Sequence, residues 1–159
     1  RGVAASVPPQ LLAVLQAEIA RGGLAGAIEA CRVKAPELAQ EASRRTGWQV
    51  RRVSLRNRNP RAVPDAWERA VLEDFDHRAA AGEDPAALEK GEIVVEDGVK
   101  SYRYMKALPV QPLCLGCHGS EAALSPGVRD RLARDYPDDR ATGYALGQVR
   151  GAMTIRREL

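Results

Sequence analysis

The first apolar rhythm along the chain is helical. Between Gln10 and Arg21, Leu11, Leu12, Leu15 and Ile19 fall on one face, and Gly22-Gly23 ends the run. Arg1 to Pro9 reads as a flexible lead-in before it. A second helix is expected from Leu24 to Arg45, with the stripe Leu24, Ala27, Ile28, Cys31, Ala35 and Leu38. Pro36 lies inside this run, so a kink is expected near Lys34. Trp48, Val50, Val53 and Leu55 then suggest a strand, although the alternation slips at Arg51-Arg52. Asn57 to Pro64 is expected to be a loop.

Asp65 followed by Glu68 forms a capping-box pattern ahead of a helix from Ala66 to about Ala80. Asp84 repeats the start signal for a short helix ending near Lys90. Glu92 to Glu96 and Val99 to Leu108 read as a hairpin across Asp97-Gly98. Gln111 to Ser120 is expected to be a loop. Ser125 and Pro126 open a last helix reaching Arg134 or Asp135. Gly147 to Arg156 reads as an alternating strand with Val149, Gly151, Met153 and Ile155 on one face. No internal repeat appears. This order predicts an α+β fold, a small antiparallel sheet flanked by helices.

Length and composition narrow the function. With 159 residues, 45% of them hydrophobic, residues 1–159 are expected to make one domain with a core that needs no staples. Net charge is +3 with both signs interleaved, so no basic stripe offers itself to nucleic acid. Aromatic residues make up 4%, too few for a base-stacking platform. No uninterrupted apolar run approaches a membrane span, and no membrane insertion by these residues is expected. The three cysteines cannot all be paired with one another as disulfides.

Two of those cysteines carry the chemistry. Cys114-Leu115-Gly116-Cys117-His118 has the spacing of a c-type haem attachment site. The two thiols reach two vinyl groups on one side of a porphyrin, while the adjacent imidazole turns toward the iron. The competing readings are a redox dithiol and half a zinc site. The dithiol reading normally opens a helix after a strand, whereas Pro112 precedes this motif and Gly119 follows it. Zinc would need a fourth ligand, which only Cys31 or His77 could supply. One covalently bound haem c is therefore expected, at Cys114 and Cys117 with His118 on the iron. Attachment of this kind implies a periplasmic or otherwise extracytoplasmic location.

The second axial position has several candidates: Cys31, Met105, Met153, His77, or none. His77 lies in a charged stretch and reads as a wet-face residue. Met105 and Met153 sit in apolar strands, where core filling is the default. Cys31 lies on a buried helical stripe, with Arg32 and Lys34 close enough in sequence to favour its thiolate. Arg56, Arg58 and Arg103 are candidates for pairing with haem propionates. Trp48, Trp67, Tyr104 and Met105 are candidates to line the pocket.

Several motifs in order carry a resemblance. They are Arg58-Asn59-Pro60, Pro64-Asp65, Trp67-Glu68, Tyr102-Arg103-Tyr104-Met105-Lys106, Gln111-Pro112-Leu113-Cys114, His118-Gly119, Tyr136-Pro137, Ala141-Thr142-Gly143-Tyr144, and Gly147 with Arg150-Gly151. The helix with Ala27-Ile28, Cys31 and Lys34-Ala35-Pro36 belongs with them. Together they resemble the bacterial and cyanobacterial c-type haem domain with a PAS-like fold, found alone or as the sensing part of signalling proteins. The chain departs from that pattern at Arg61-Ala62-Val63, where an asparagine is expected between the prolines. The resemblance implies a PAS-like fold and implies Cys31 as the ligand opposite His118. It also implies redox or gas sensing, with a signalling domain or a redox protein as partner. Low-potential electron transfer is the alternative. A small peroxidase is a third, for which His77 is the only spare histidine and would have to act as base.

Overall fold

The computed structural model describes all 159 residues. Its helices are α1 (Gly2–Thr46), α2 (Ala66–Ala80), α3 (Leu115–His118) and α4 (Pro126–Asp135). Its strands are β1 (Gln49–Val53), β2 (Glu89–Glu96), β3 (Val99–Pro109) and β4 (Val149–Glu158). The strands form one antiparallel sheet in the order β1-β4-β3-β2. This is the expected α+β, PAS-like arrangement, with an open sheet and helices packed on it.

Both faces of the sheet are covered. On one face, Val53, Met105, Ala107 and Ala152 pack with Val71, Leu72 and Phe75 of α2. On the other, Val50, Tyr104, Met153 and Ile155 pack with Ala4, Val7 and Ala42 of α1. A strand buried on two sides reads as a continuous apolar run. This explains why β4 is buried from Val149 to Ile155.

Double coverage also accounts for the slip at Arg51-Arg52. Arg52 shares the face of its register partner Met153, toward α1, while Arg51 faces α2 and bonds Glu68 at 2.6 Å. The expected single face for Val149, Gly151, Met153 and Ile155 does not hold. The register skips between Leu108 and Pro109, pairing Leu108 with Gly151 and Pro109 with Val149. Arg150 is the extra residue of this bulge, and Val149 passes to the α2 face.

The lead-in is ordered as helix, because Ala4 and Val7 are buried against the sheet. Within α1 the only non-helical residue is Gly23 (φ 68°, ψ −177°), and Pro36 sits inside the helix. The break belongs at Gly23 because glycine adopts positive φ without a Cβ clash. A straight helix would separate Ala4 from Ala42 by roughly 57 Å, yet both pack on one sheet face. The chain therefore turns at Gly23 into two arms, 2–22 and 24–46. By length and composition alone α1 is long and apolar enough to cross a membrane. Both arms nonetheless carry residues buried against the domain.

The remaining differences are local. Asp84 starts only a 3-10 turn, Pro85–Ala87, because Glu89 already pairs with Lys106 in the sheet. The expected capping box is present: Glu68 N–H donates to Asp65 Oδ1 and Asp65 N–H to Glu68 Oε2, each at 2.9 Å. Asp97 (φ 51°) and Gly98 (φ 79°) make the tight hairpin turn.

Candidate functional site

The segment expected to be a loop carries the 3-10 turn Pro112–Cys114 followed by α3, so Cys114 to His118 form a helical turn. That turn is wedged between two apolar clusters. Cys117 packs against the cluster that Ile28 of α1 forms with Leu124, Val128 and Leu132 on and just before α4, and Leu24 and Ala25 pack against the same cluster. Cys114 and Leu115 pack with Val110, Ala141 and Tyr144. Gly116 faces Leu24 so closely that a Cβ there would meet the leucine at 2.8 Å.

The segment after α4 pins the motif from its other side. Tyr144 N–H donates to His118 O at 2.9 Å, and Gly143 N–H to Gly119 O at 2.7 Å. His118 Nδ1 lies 2.7 Å from Ala141 O. A carbonyl oxygen only accepts, so Nδ1 carries the proton. Burial pushes the His118 pKa well below its ordinary value, with Arg150 and Arg58 adding to the effect. The ring is therefore neutral at pH 7 and presents an Nε2 lone pair. Arg150 Nε, at 3.4 Å, faces that lone pair.

Arg58 is the hub of the outer shell. Its guanidinium donates to Cys117 O at 2.6 Å and pairs with Asp139 at 2.9 Å, both side chains about nine-tenths buried. Asp139 Oδ1 in turn accepts from Ala141 N–H at 2.9 Å. One chain of bonds thus runs from the Cys117 carbonyl through Arg58, Asp139 and Ala141 to the His118 ring. Arg58 Nε is buried without a partner. The expectation that Arg58 serves a propionate meets a side chain already committed to holding the motif.

Cys31 is half-buried on the second arm of α1. Burial pushes its thiol pKa up, opposed by Arg52, with Cys117 raising it and Arg58 lowering it further. Cys117 is likewise pushed up by burial. The charges that act on Cys31 are thus Arg52 and Arg58, which favour its thiolate, and Glu18, which opposes it. Arg32 and Lys34, expected in that role, pair instead with Glu29 and Glu37, each at 2.9 Å. The fold brings Cys31, Cys114, Cys117 and His118 into one electrostatic neighbourhood with Arg52, Arg58 and Arg150.

Of the other candidates, Arg56 lies beside the motif, against Tyr144, whose ring meets His118 edge-on at 6.3 Å; the rest make their contacts elsewhere. Trp48 stacks edge-on with Tyr102 at 6.1 Å on the α1 face. Tyr104 donates to Glu89 at 2.6 Å, and Met153 is core on that same face. Trp67 lies against Arg103 and donates to Glu92 at 2.7 Å, while Met105 is core under α2. Arg103 pairs with Asp65, Glu68 and Glu96, and Arg56 stacks on Tyr144 at 4.1 Å. His77 is exposed on α2. Sequence reasoning missed Arg52, Asp139, Ala141 and Arg150 as site residues. Arg52 had left a trace, a charge breaking a strand's apolar run; the Ala141 carbonyl left none.

The model of the Tll0287-like family matches residues 4–157. The chain belongs to the Tll0287-like family. A solved structure described as the crystal structure of the cyanobacterial heme-protein Tll0287 superposes with a TM-score of 0.63 and 28% identity. The match covers 80% of this chain and 71% of that one. No curated protein sequence matches. The family match spans Cys31 and the Cys114–His118 turn, and the likeness to a heme-protein supports haem binding.

The residues present fit such a group. A neutral imidazole with its Nδ1–H anchored offers Nε2 to a metal, and the anchor fixes both tautomer and ring orientation. Two thiols separated by two residues in a helical turn, with a third on the helix packed against that turn, complete a donor set suited to haem iron and thioether bonds.

Proposed function

We propose that the chain is a single-haem c-type domain that senses redox state or a small gas. Cys114 and Cys117 would hold the haem through thioethers, with His118 and Cys31 on the iron. The observation that carries this reading is the His118 ring, held neutral by burial and oriented by the Ala141 carbonyl.

Bound haem supplies a one-electron change at iron and an affinity for small gases. The protein's own residues do the rest. Asp139 and Arg58 hold the motif carbonyl and the Ala141 turn in place. Arg52 and Arg58 favour a charged Cys31, which burial, Cys117 and Glu18 oppose. Leu24 and Ile28 seat the second arm of α1 on the motif and on α4.

Sensing is favoured over electron shuttling by the place of Cys31. The arm that bears it also carries Leu38 and Ala42, which pack on the sheet. A change in the bonding of Cys31 thus bears on an element tied to the sheet core. No enzymatic turnover is proposed. The domain is proposed to act outside the cytoplasm, since thioether attachment requires export and maturation.

The test is the visible spectrum in both oxidation states, with acid–acetone extraction and intact mass. The expected result is one haem that stays with the protein and a low-spin ferric spectrum with a thiolate charge-transfer band. Haem that extracts freely would refute the attachment.

A further inference from the structure

The two edges of the sheet are treated differently. The β1 edge is short, and the segment after it covers it: Ser54 N–H donates to Ala62 O at 3.0 Å, and Arg51 to Val63 O at 3.0 Å. The β2 edge is bare. It runs eight residues with unbroken register to β3 and contains neither proline nor bulge. Those are two of the devices by which edge strands ordinarily avoid pairing with other chains. A third, charged side chains, is present as Glu89, Lys90, Glu92 and Glu96 and therefore constrains which pairing is allowed.

The turn fixes which groups this edge presents. Across a two-residue turn, Glu96 and Val99 form a hydrogen-bonded pair, and pairs alternate from there. Val94, Glu92 and Lys90 therefore direct their backbone groups at β3, while Val95, Ile93 and Gly91 direct theirs outward. The same residues carry the exposed apolar surface: Ile93 is 54% and Val95 66% exposed. Isolated exposed aliphatics are ordinary; two in register on a bare edge are not.

We infer that β2 pairs antiparallel with β2 of a second copy of this chain, about a two-fold axis at Ile93, joining the two sheets. Charge selects the register. With Ile93 opposite Ile93 of the partner subunit, Gly91 faces Val95 and Lys90 faces Glu96, each twice by symmetry. Sliding one pairing step toward the turn puts Glu92 opposite Glu96. Sliding one step the other way puts Glu92 opposite itself. Like charges directly across a ladder are destabilising and opposite charges stabilising. Of these three registers, the one centred on Ile93 alone sets no like charges opposite each other within the strand. Glu92 faces Val94 there, and Glu89 meets Asp97 only at the turn, beyond the ladder.

Sedimentation velocity on the haem-loaded full chain tests this. A concentration-dependent dimer is expected, and Ile93→Lys should weaken it by about 100-fold, since it sets two like charges face to face on the axis. Ile93 is exposed, so a thermal melt run below the dimer's dissociation concentration should match that of the unaltered chain and will show that the monomer still folds. Leu146→Lys, at another exposed aliphatic (56%), should leave the dimer intact. Lys90→Glu should weaken it about tenfold, and added salt should weaken the unaltered dimer. A monomer at every accessible concentration, or a dimer indifferent to Ile93→Lys, overturns the interface. A dimer lost with Ile93→Lys but indifferent to Lys90→Glu overturns the register.

Discussion

His118 donates its Nδ1 proton to the carbonyl oxygen of Ala141 over 2.7 Å, and this bond decides what the rest of the ring can do. A backbone acceptor twenty-three residues away in sequence sets the tautomer and aims Nε2. The Ala141 turn is held by Asp139, and Asp139 is held by Arg58. The first expectation concerns that chain of bonds. Asp139→Ala leaves the Arg58 guanidinium buried without its carboxylate and should destabilise the domain by about 3 kcal/mol. It should also broaden the haem absorption bands as the His118 ring loses its fixed orientation. Thermal unfolding and the visible spectrum check the two effects separately. An unchanged melt and spectrum would show that Asp139 does not position the site.

Axial ligation separates the sulfur candidates. Met105 and Met153 are fully buried in different clusters on opposite faces of the sheet. Met105→Leu and Met153→Leu should cost under about 1.5 kcal/mol and leave the spectrum unaltered. Cys31→Ser should remove the thiolate band and raise the midpoint potential, because the donated negative charge is lost. Spectra and potentiometry on the three variants decide between them. Loss of the band in a methionine variant would move the ligand.

The haem-free chain should be acid-sensitive through His118. Its folded pKa lies below the ordinary value near 6.5, so the unfolded chain binds the proton more readily. The stability this contributes is complete above pH 6.5 and is lost as pH falls below it, toward the folded pKa. Denaturant midpoints of the haem-free chain at a series of pH values should show that slope. In His118→Gln the same series should run flat between pH 7 and 5. An equal slope in the variant would assign it to another group.

Under α2, Arg103 and Glu68 are each about 97% buried or more and form an ion pair at 3.4 Å, with Asp65 on the same guanidinium. Glu68 also closes the capping box and bonds Arg51. Glu68→Leu removes the one fully buried carboxylate on Arg103, leaving it Asp65 and Glu96, and opens the cap at one stroke. It should destabilise the fold by about 3–5 kcal/mol. Glu68→Gln, which keeps a hydrogen-bonding group there, should cost less. Chemical denaturation of both variants measures the difference, and equal losses would show that the carboxylate charge is not what Arg103 requires.

Local chemistry made much of this legible in advance. The capping box at Asp65 and Glu68, the Asp97-Gly98 turn and the spacing from Cys114 to His118 each rest on residues within a few positions of one another. Their geometry is fixed by short-range sterics and hydrogen bonding, so the sequence alone determined them. It also determined a break at Gly22-Gly23, because only glycine takes that backbone conformation cheaply. Other features depend on what lies across the fold. Residues 1–9 are helical because Ala4 and Val7 meet the sheet. The two arginines of β1 sit on opposite sheet faces, each toward a helix, because both faces are covered. Arg150 reaches His118 because a bulge in β4 places it there. The tautomer of His118 rests on a carbonyl, a group every residue possesses, so no pattern of side chains could announce Ala141. Only the tertiary structure brought that oxygen to the ring.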